Sequence, residues 1–167
     1  RVLKTWTGAS SNVWNLAGNW DGGIPGNGDV AAFDAALPPN QPDMDAVGDI
    51  KGLTVSDNSG AVTLTAVGGS SKTLTLGANG ISMPSAVNTL NISAPIILSA
   101  DQTWNTLTDL TVSNTINLGN RTLTTSGPGT KNISAAISGL GGKLSKSGPA
   151  ILTLSGNNTF SGGITQS

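Results

Sequence analysis

The sequence has no cysteine, histidine, tyrosine or glutamate, and only 10% of its 167 residues are charged. The absence of cysteine excludes disulfides, thiolate-bound zinc and a cysteine nucleophile. A net charge of -1 excludes a polybasic surface for nucleic acid. No apolar run approaches the roughly 20 residues of a membrane-spanning helix, so we expect no membrane insertion.

Helix-forming residues are scarce, since glutamate is missing and lysine and arginine together number 8. Threonine, serine, asparagine, glycine and aliphatic residues take their place, and this mixture favours strands and turns. The length suits one domain with a real core. The composition therefore predicts an all-β fold. Because the chain opens on Arg1 rather than methionine, we expect it to be processed or cut from a longer one.

Residues 49–167 have the pattern of a series of short strands. Apolar residues recur in pairs two positions apart, which places both members of a pair on one face of a strand. Turn residues such as Asn79-Gly80 and Gly119-Asn120 separate the pairs. The clearest pairs are Leu53/Val55, Val62/Leu64, Leu74/Leu76, Ile81/Met83, Leu90/Ile92, Ile96/Leu98, Leu110/Val112 and Ile116/Leu118.

Two architectures fit this pattern, a sandwich or barrel and a β-solenoid. Similar phrases recur, such as LTVS at 53–56 and 110–113 and LTLS at 152–155. The strands are very short, and their outward positions hold mostly threonine, serine and asparagine. Together these features favour a parallel β-helix, with about five coils after residue 48 if each coil takes roughly 20 to 25 residues.

Residues 1–48 are predicted to form an irregular N-terminal cap on the solenoid of residues 49–167. The first coil of a solenoid has unpaired backbone groups and an exposed core, which another segment must cover. Trp6, Trp14 and Trp20 supply large apolar area for this purpose. Residues 30–33 are predicted as a strand, with a short N-capped helical segment over 30–37 as the alternative.

Asp43, Asp45 and Asp49 are the candidates for a glycan-cleaving pair of carboxylates. No histidine, glutamate or tyrosine is present to complete such a site, so a solvated loop is the favoured interpretation. Ser145-Lys146-Ser147 is the only adjacent arrangement for a serine nucleophile with a lysine base. We therefore predict no catalytic residue and no enzymatic activity.

The sequence offers two candidate binding sites. Asp21, Asn27 and Asp29 lie in a glycine-rich loop that could offer oxygen ligands to calcium, but their spacing matches no calcium motif. A plain turn is favoured, and no metal or cofactor is predicted. Trp104, between Asp101 and Asp109, could provide a stacking platform for a sugar, although a core position is the more common role for such a tryptophan.

The segment from Thr159 to Ser167 carries no capping proline, charge cluster or helix. An uncovered coil is a template for another strand. The β-prone segment at 2–7 could supply that strand from a neighbouring molecule. We therefore predict head-to-tail self-association through the apolar residues at the two ends, namely Val2, Leu3, Trp6, Phe160 and Ile164.

Residues 143–163, KLSKSGPAILTLSGNNTFSGG, resemble the autotransporter-associated β-strand repeat, with Ala150 where glycine is usual. Trp6-Thr7-Gly8, Asn19-Trp20 and the stretch at 28–33 are similar to a segment that precedes such repeats in large secreted bacterial proteins. The resemblance implies a right-handed parallel β-helix displayed outside a bacterial cell. It also implies a structural or adhesive role without a shared catalytic site.

The main hypothesis is a non-enzymatic, extracellular β-solenoid that forms a subunit or segment of a surface filament, stalk or adhesive scaffold. Its expected partners are copies of itself or flanking repeats of a longer chain, with surface glycans as a further possibility. The alternatives are a glycan-binding module and a polysaccharide-degrading enzyme.

Overall fold

A computed structural model describes residues 2–34, 38–67 and 72–167 of the chain. In that part the only helix is a three-residue 3-10 turn, Ala17–Asn19. The described residues contain no helix with the length and apolar character that a membrane span requires. The remaining regular structure is β-strand. The strands are β1 (Val2–Trp6), β2 (Trp20–Asp21), β3 (Asp29–Asp34), β4 (Gly48–Ser56), β5 (Val62–Leu64), β6 (Leu74–Ser85), β7 (Leu90–Ile92), β8 (Ile96–Leu98), β9 (Gln102–Thr106), β10 (Leu110–Val112), β11 (Ile116–Asn117), β12 (Thr122–Ser126), β13 (Lys131–Ile133), β14 (Ile137–Ser138), β15 (Lys143–Lys146), β16 (Leu152–Leu154) and β17 (Ile164–Gln166).

The strands form three stacked faces. The first face runs in the order β17-β15-β12-β9-β6-β4-β3-β1-β2, and every pair in it is parallel except β1 with β2. The second face contains β8, β11 and β14, and it joins the first face through the start of β6. The third face is the parallel stack β16-β13-β10-β7-β5. The chain visits the faces in turn, so each circuit adds one strand to each stack.

The predicted β-solenoid is confirmed, with stacked coils of about six turns rather than about five. From Leu90 onward a coil takes 20 or 21 residues, since Leu110 pairs with Leu90 on one side and with Lys131 on the other, whereas the step from Val62 to Leu90 takes 28 residues. Strands of three residues suffice because each one needs to span only one side of the coil. The sandwich alternative is excluded by the parallel pairing of successive coils.

The core lies inside the coils and consists of columns of aliphatic side chains. Because side chains alternate between the two faces of a strand, one inward residue stacks on the inward residue of the next coil. Every member of the eight apolar pairs predicted from the sequence is buried. Each fully buried leucine or isoleucine contributes about 1.5–3 kcal/mol relative to an exposed one. A typical column is Leu74, Ile96, Ile116 and Ile137.

The N-terminal residues close one end of this core. Trp6, Trp14 and Trp20 are buried, and Trp20 packs edge-on against both other indoles, with ring centroids 5.0 and 4.7 Å away. Trp20 Nε1 donates a hydrogen bond to the Trp14 carbonyl at 2.7 Å. Residues 30–33 lie in β3, as predicted, and β3 pairs with β4. The first face is therefore continuous across the boundary that was predicted after residue 48.

One predicted turn is wrong. Asn79-Gly80 lies within β6, whose first half pairs with β8 and whose second half pairs with β9. The register shifts at this point, because Ile50 is opposite Leu76 whereas Gly52 is opposite Gly80. Gly80 has a φ of +56°, which lets the strand bend from the second face to the first without ending.

Gly80 gives a test of this bend. A Cβ at Gly80 would lie 2.2 Å from the Thr103 carbonyl oxygen, whereas Gly119, with a φ of +57°, has open space at the same point. Gly119→Ala should cost only the left-handed backbone penalty of about 1–2 kcal/mol. Gly80→Ala should cost more, since the coils must also move apart. Denaturant unfolding of both variants measures the difference, and equal losses would contradict this packing.

Candidate functional site

Of the three candidate carboxylates, Asp43 and Asp45 accept hydrogen bonds within the protein, and Asp49 is exposed on β4. Asp43 Oδ1 accepts hydrogen bonds from Thr65 Oγ1 at 2.7 Å and from the Val67 amide at 2.9 Å. Asp45 Oδ1 accepts from the Asn15 amide at 2.9 Å. The two carboxylates therefore hold different segments of the chain. Asp43 and Asp45 therefore have a structural role, in which each carboxylate links two segments that are distant in the sequence.

Of the three residues named as possible calcium ligands, Asp29 makes its hydrogen bonds within a local turn. Asp29 Oδ2 accepts from the Gly26 amide at 3.0 Å, and the Asp29 amide donates to the Gly26 carbonyl at 2.9 Å. These two bonds close a turn. Asp21 and Asn27 are exposed. In the described ranges, no group of three or more aspartate, glutamate, histidine or cysteine residues is placed to hold a metal ion.

Trp104 lies in the core, the position favoured from the sequence, and the alternative of a sugar platform is wrong. The side chain is 0% exposed and points into the core from β9. Its Nε1 donates to Gln102 Oε1 at 2.9 Å, and Gln102 Nε2 donates in turn to the Leu76 carbonyl at 2.8 Å. The buried indole and its polar atom are both satisfied inside the protein, so no face of the ring is open to a ligand.

Aspartates recur as links between successive coils. Asp101 Oδ1 accepts from the Thr122 amide at 2.8 Å, and Asp109 Oδ1 accepts from the Thr130 amide at 3.0 Å. Each link spans 21 residues, which is one coil. Sequence reasoning missed this role because the partner is a backbone amide, which any residue supplies. The 21-residue register was the signal that could have placed each acceptor beside its donor.

The Asp101 link is tested by a pair of substitutions. Asp101→Ala removes the acceptor and should lower the free energy of unfolding by about 1 kcal/mol. Asp101→Asn keeps an oxygen acceptor of similar shape and should lose less. Thermal or urea unfolding distinguishes the two. If the alanine and asparagine variants are equally stable, the hydrogen bond does not contribute as described.

Lys131 is a buried charged residue that was not predicted from the sequence. It occupies an inward position of β13, between Leu110 and Leu152, and is 2% exposed. Its Nζ donates to the carbonyls of Ser126, of Gly127 at 3.2 Å and of Gly129 at 2.6 Å. Burial lowers the pKa of Lys131, Lys146 lowers it further, and Asp109 acts in the opposite direction. The lysine thus stabilises the 126–129 turn from inside the core.

The lowered pKa of Lys131 gives a pH prediction. The folded value lies below the ordinary 10.5, so between the two values the unfolded chain binds more protons. The stability of the wild type relative to Lys131→Met should therefore rise as the pH increases from the folded value to 10.5, and level off above it. As the pH falls through the folded value, this contribution is lost.

Denaturant unfolding of both proteins from neutral pH to above pH 10.5 measures this effect. Lys143→Met removes an exposed lysine and serves as the control. Parallel pH profiles for the wild type and Lys131→Met would contradict the assignment.

The five residues predicted for self-association have different environments. Trp6 is buried in the cap of its own chain, so the prediction of a contact through Trp6 is wrong. Val2 and Leu3 are 53% and 50% exposed on β1. Phe160 packs against the core and is half-buried, and Ile164 is 60% exposed on β17.

The last coil forms an open end, which we define as β16, Phe160 and β17. In the described chain, β16 pairs only with β13, and β17 pairs only with β15. Leu152 and Leu154 are half-buried, whereas the residues before them in the same columns, Lys131 and Ile133, are buried. The open end therefore presents unpaired strand edges together with the exposed end of the core.

The lysine of the Ser145-Lys146-Ser147 segment is held by a neighbouring turn. Its Nζ donates a hydrogen bond to the Gly148 carbonyl at 2.9 Å.

No family model, curated protein or solved structure matches this chain.

Proposed function

We propose that this chain is a non-enzymatic structural β-solenoid, a segment or subunit of a filament, stalk or adhesive scaffold on the outside of a bacterial cell. The open end is the observation that carries the proposal. Apolar core residues and unpaired strand edges at one end favour continuation by further parallel strands. Those strands can belong to flanking repeats or to a second copy of the chain.

The contrast between the two ends supports growth in one direction. At the N-terminal end, three tryptophans cover the core, and β2 pairs antiparallel with β1 at the edge of the first face. At the open end, the inward side chains Leu154 and Ile164 remain accessible. Unlike ends favour a head-to-tail contact, and a head-to-tail contact that does not close on itself produces a fibre.

The strand edges of the two ends are compatible. Antiparallel pairing by β2 involves only Thr5 and Trp6, which leaves the edge of Val2–Lys4 for another strand. β17 is also three residues long, and both strands belong to the parallel first face. A second copy could place its β1 beside β17, with Val2 opposite Ile164. This pairing would extend the sheet and cover both exposed side chains.

The resemblance of residues 143–163 to the autotransporter-associated repeat supports the proposed extracellular location. The charge-poor composition and the short connections between most of the strands suit a protein that must resist proteolysis. Both features are consistent with a scaffold whose length depends on the number of coils.

The self-association is tested with a matched pair on β17. Sedimentation velocity across a concentration series should show the wild type growing into larger species. Ile164→Lys places a charge on the inward side of the open end and should shift the protein toward monomer. Thr165→Lys places the same charge on the outward side of the same strand and should shift it much less.

Val2→Lys separates the two possible geometries. It should weaken a head-to-tail contact as Ile164→Lys does, but should not affect an association between two open ends. A wild-type protein that stays monomeric at high concentration would refute self-association and leave continuation by flanking repeats as the remaining role of the open end.

A further inference from the structure

The outward side of the third face carries a regular column of small uncharged polar residues. The middle residues of five successive strands stand in register on this face, with no register shift along the stack. We call this set the polar column. Its members are Thr63, Asn91, Thr111, Asn132 and Thr153.

The side chains of the polar column make no hydrogen bonds with other described residues. Asparagines at the corners of the coils differ, because Asn58 bonds to the segment at 87–88 and Asn114 Nδ2 donates to the Ser93 carbonyl at 2.8 Å. Corner amides thus hold the coils together, whereas Asn91 and Asn132 keep their donors and acceptors for solvent or a ligand. An asparagine amide offers two donors and an acceptor.

A second row of hydroxyls runs beside the polar column. It consists of the residues that directly follow the five strands, namely Thr65, Ser93, Ser113, Ser134 and Ser155. Thr65 Oγ1 and Ser93 Oγ bond within the protein, at 2.7 Å to Asp43 and 3.3 Å to the Leu64 carbonyl. The other three serines are exposed and have no side-chain hydrogen bond with the described residues. The polar surface that is free to bind a ligand is therefore wider over the last three coils, where these serine hydroxyls lie beside the polar column.

The polar column alternates between threonine and asparagine from one coil to the next. Parallel strands lie about 4.8 Å apart, so the alternation repeats every two coils, or about 10 Å. The five residues of the column span roughly 19 Å. A partner that matches this surface must be extended, uncharged and polyhydroxylated, with a repeat of two units along the solenoid axis.

We propose that the polar column binds a neutral β-1,4-linked polysaccharide lying along the solenoid axis. In such a chain each sugar is flipped relative to the one before, so the repeating unit is a disaccharide whose length is close to two coil spacings. One sugar then lies over each coil, and every second sugar presents the same hydroxyls to Asn91 or Asn132. This proposal is independent of the proposed scaffold role.

Charge supports a neutral ligand. Every residue of the polar column is uncharged, and the carboxylate beside it, that of Asp109, already accepts the Thr130 amide. An anionic polysaccharide would find no cation in this column. Van der Waals contact with the threonine methyl groups would add to the hydrogen bonds from the amides.

The test is retention on insoluble polysaccharide, with a matched pair of variants from one coil. Thr111 and Thr124 are both half-buried threonines at outward positions, on the third and first faces respectively. Thr111→Lys places a long charged side chain in the middle of the polar column and should weaken retention on amorphous cellulose or chitin about tenfold. Thr124→Lys should bind as the wild type does.

The alternation is tested separately. The double variant Asn91→Thr, Asn132→Thr makes the column uniform and should weaken binding while leaving the circular dichroism spectrum and melting temperature close to those of the wild type. Titration with cellohexaose and with chitin hexaose distinguishes the glucan from its N-acetylated counterpart. The proposal is overturned if neither polysaccharide retains the wild type, or if Thr111→Lys and Thr124→Lys bind equally well.

Discussion

Parallel backbone pairing between residues one coil apart is the interaction on which the rest of this structure depends. On the third face, one position is occupied in successive coils by residues 20 or 21 apart, namely Leu90, Leu110, Lys131 and Leu152. Since side chains alternate along a strand, this register decides which residues point inward and which point outward on every coil. The core columns, the aspartate links and the polar column all follow from the same spacing.

One inward column on the first face becomes more polar toward the open end. It reads Ile81, Trp104, Thr125, Lys146 and Gln166. Burying a polar group costs free energy unless it is hydrogen-bonded. The cost falls along the column because Lys146 is half-buried and Gln166 is exposed. The hydroxyls of Thr106 and Thr125 are buried without a hydrogen-bond partner among the described residues.

Strands with two aliphatic inward residues were predicted from the sequence, because two apolar residues separated by one polar residue form a recognisable pattern. It did not predict β9 as a strand, since Trp104 lies between the inward polar residues Gln102 and Thr106. Lys131 was missed for a similar reason, because a lysine in an aliphatic column breaks the pattern. Its three acceptors are backbone carbonyls, which carry no sequence signal.

The open end could be anticipated only in part. The sequence indicated that the last segment lacks a cap, and the exposed side chains of β17 agree with that reading. The predicted tryptophan cap implied that Trp6 is buried, yet the same residue was also assigned to self-association. The packing of Trp14 and Trp20 against Trp6 supports only the first of these two roles. The polar column was visible only as scattered threonines and asparagines until the register aligned them.

From Leu90 onward the coil length is nearly constant, so this part of the molecule can change size only by whole coils. Removing Leu110 to Thr130 would place Lys131 where Leu110 now stands, and the later strands would keep their faces while the rod became about 4.8 Å shorter. Removing a single residue within a strand would instead move the following inward side chains to the outward face and the outward ones into the core. Loss or duplication of complete coils is therefore the route by which such a chain can acquire a different reach without losing its interior.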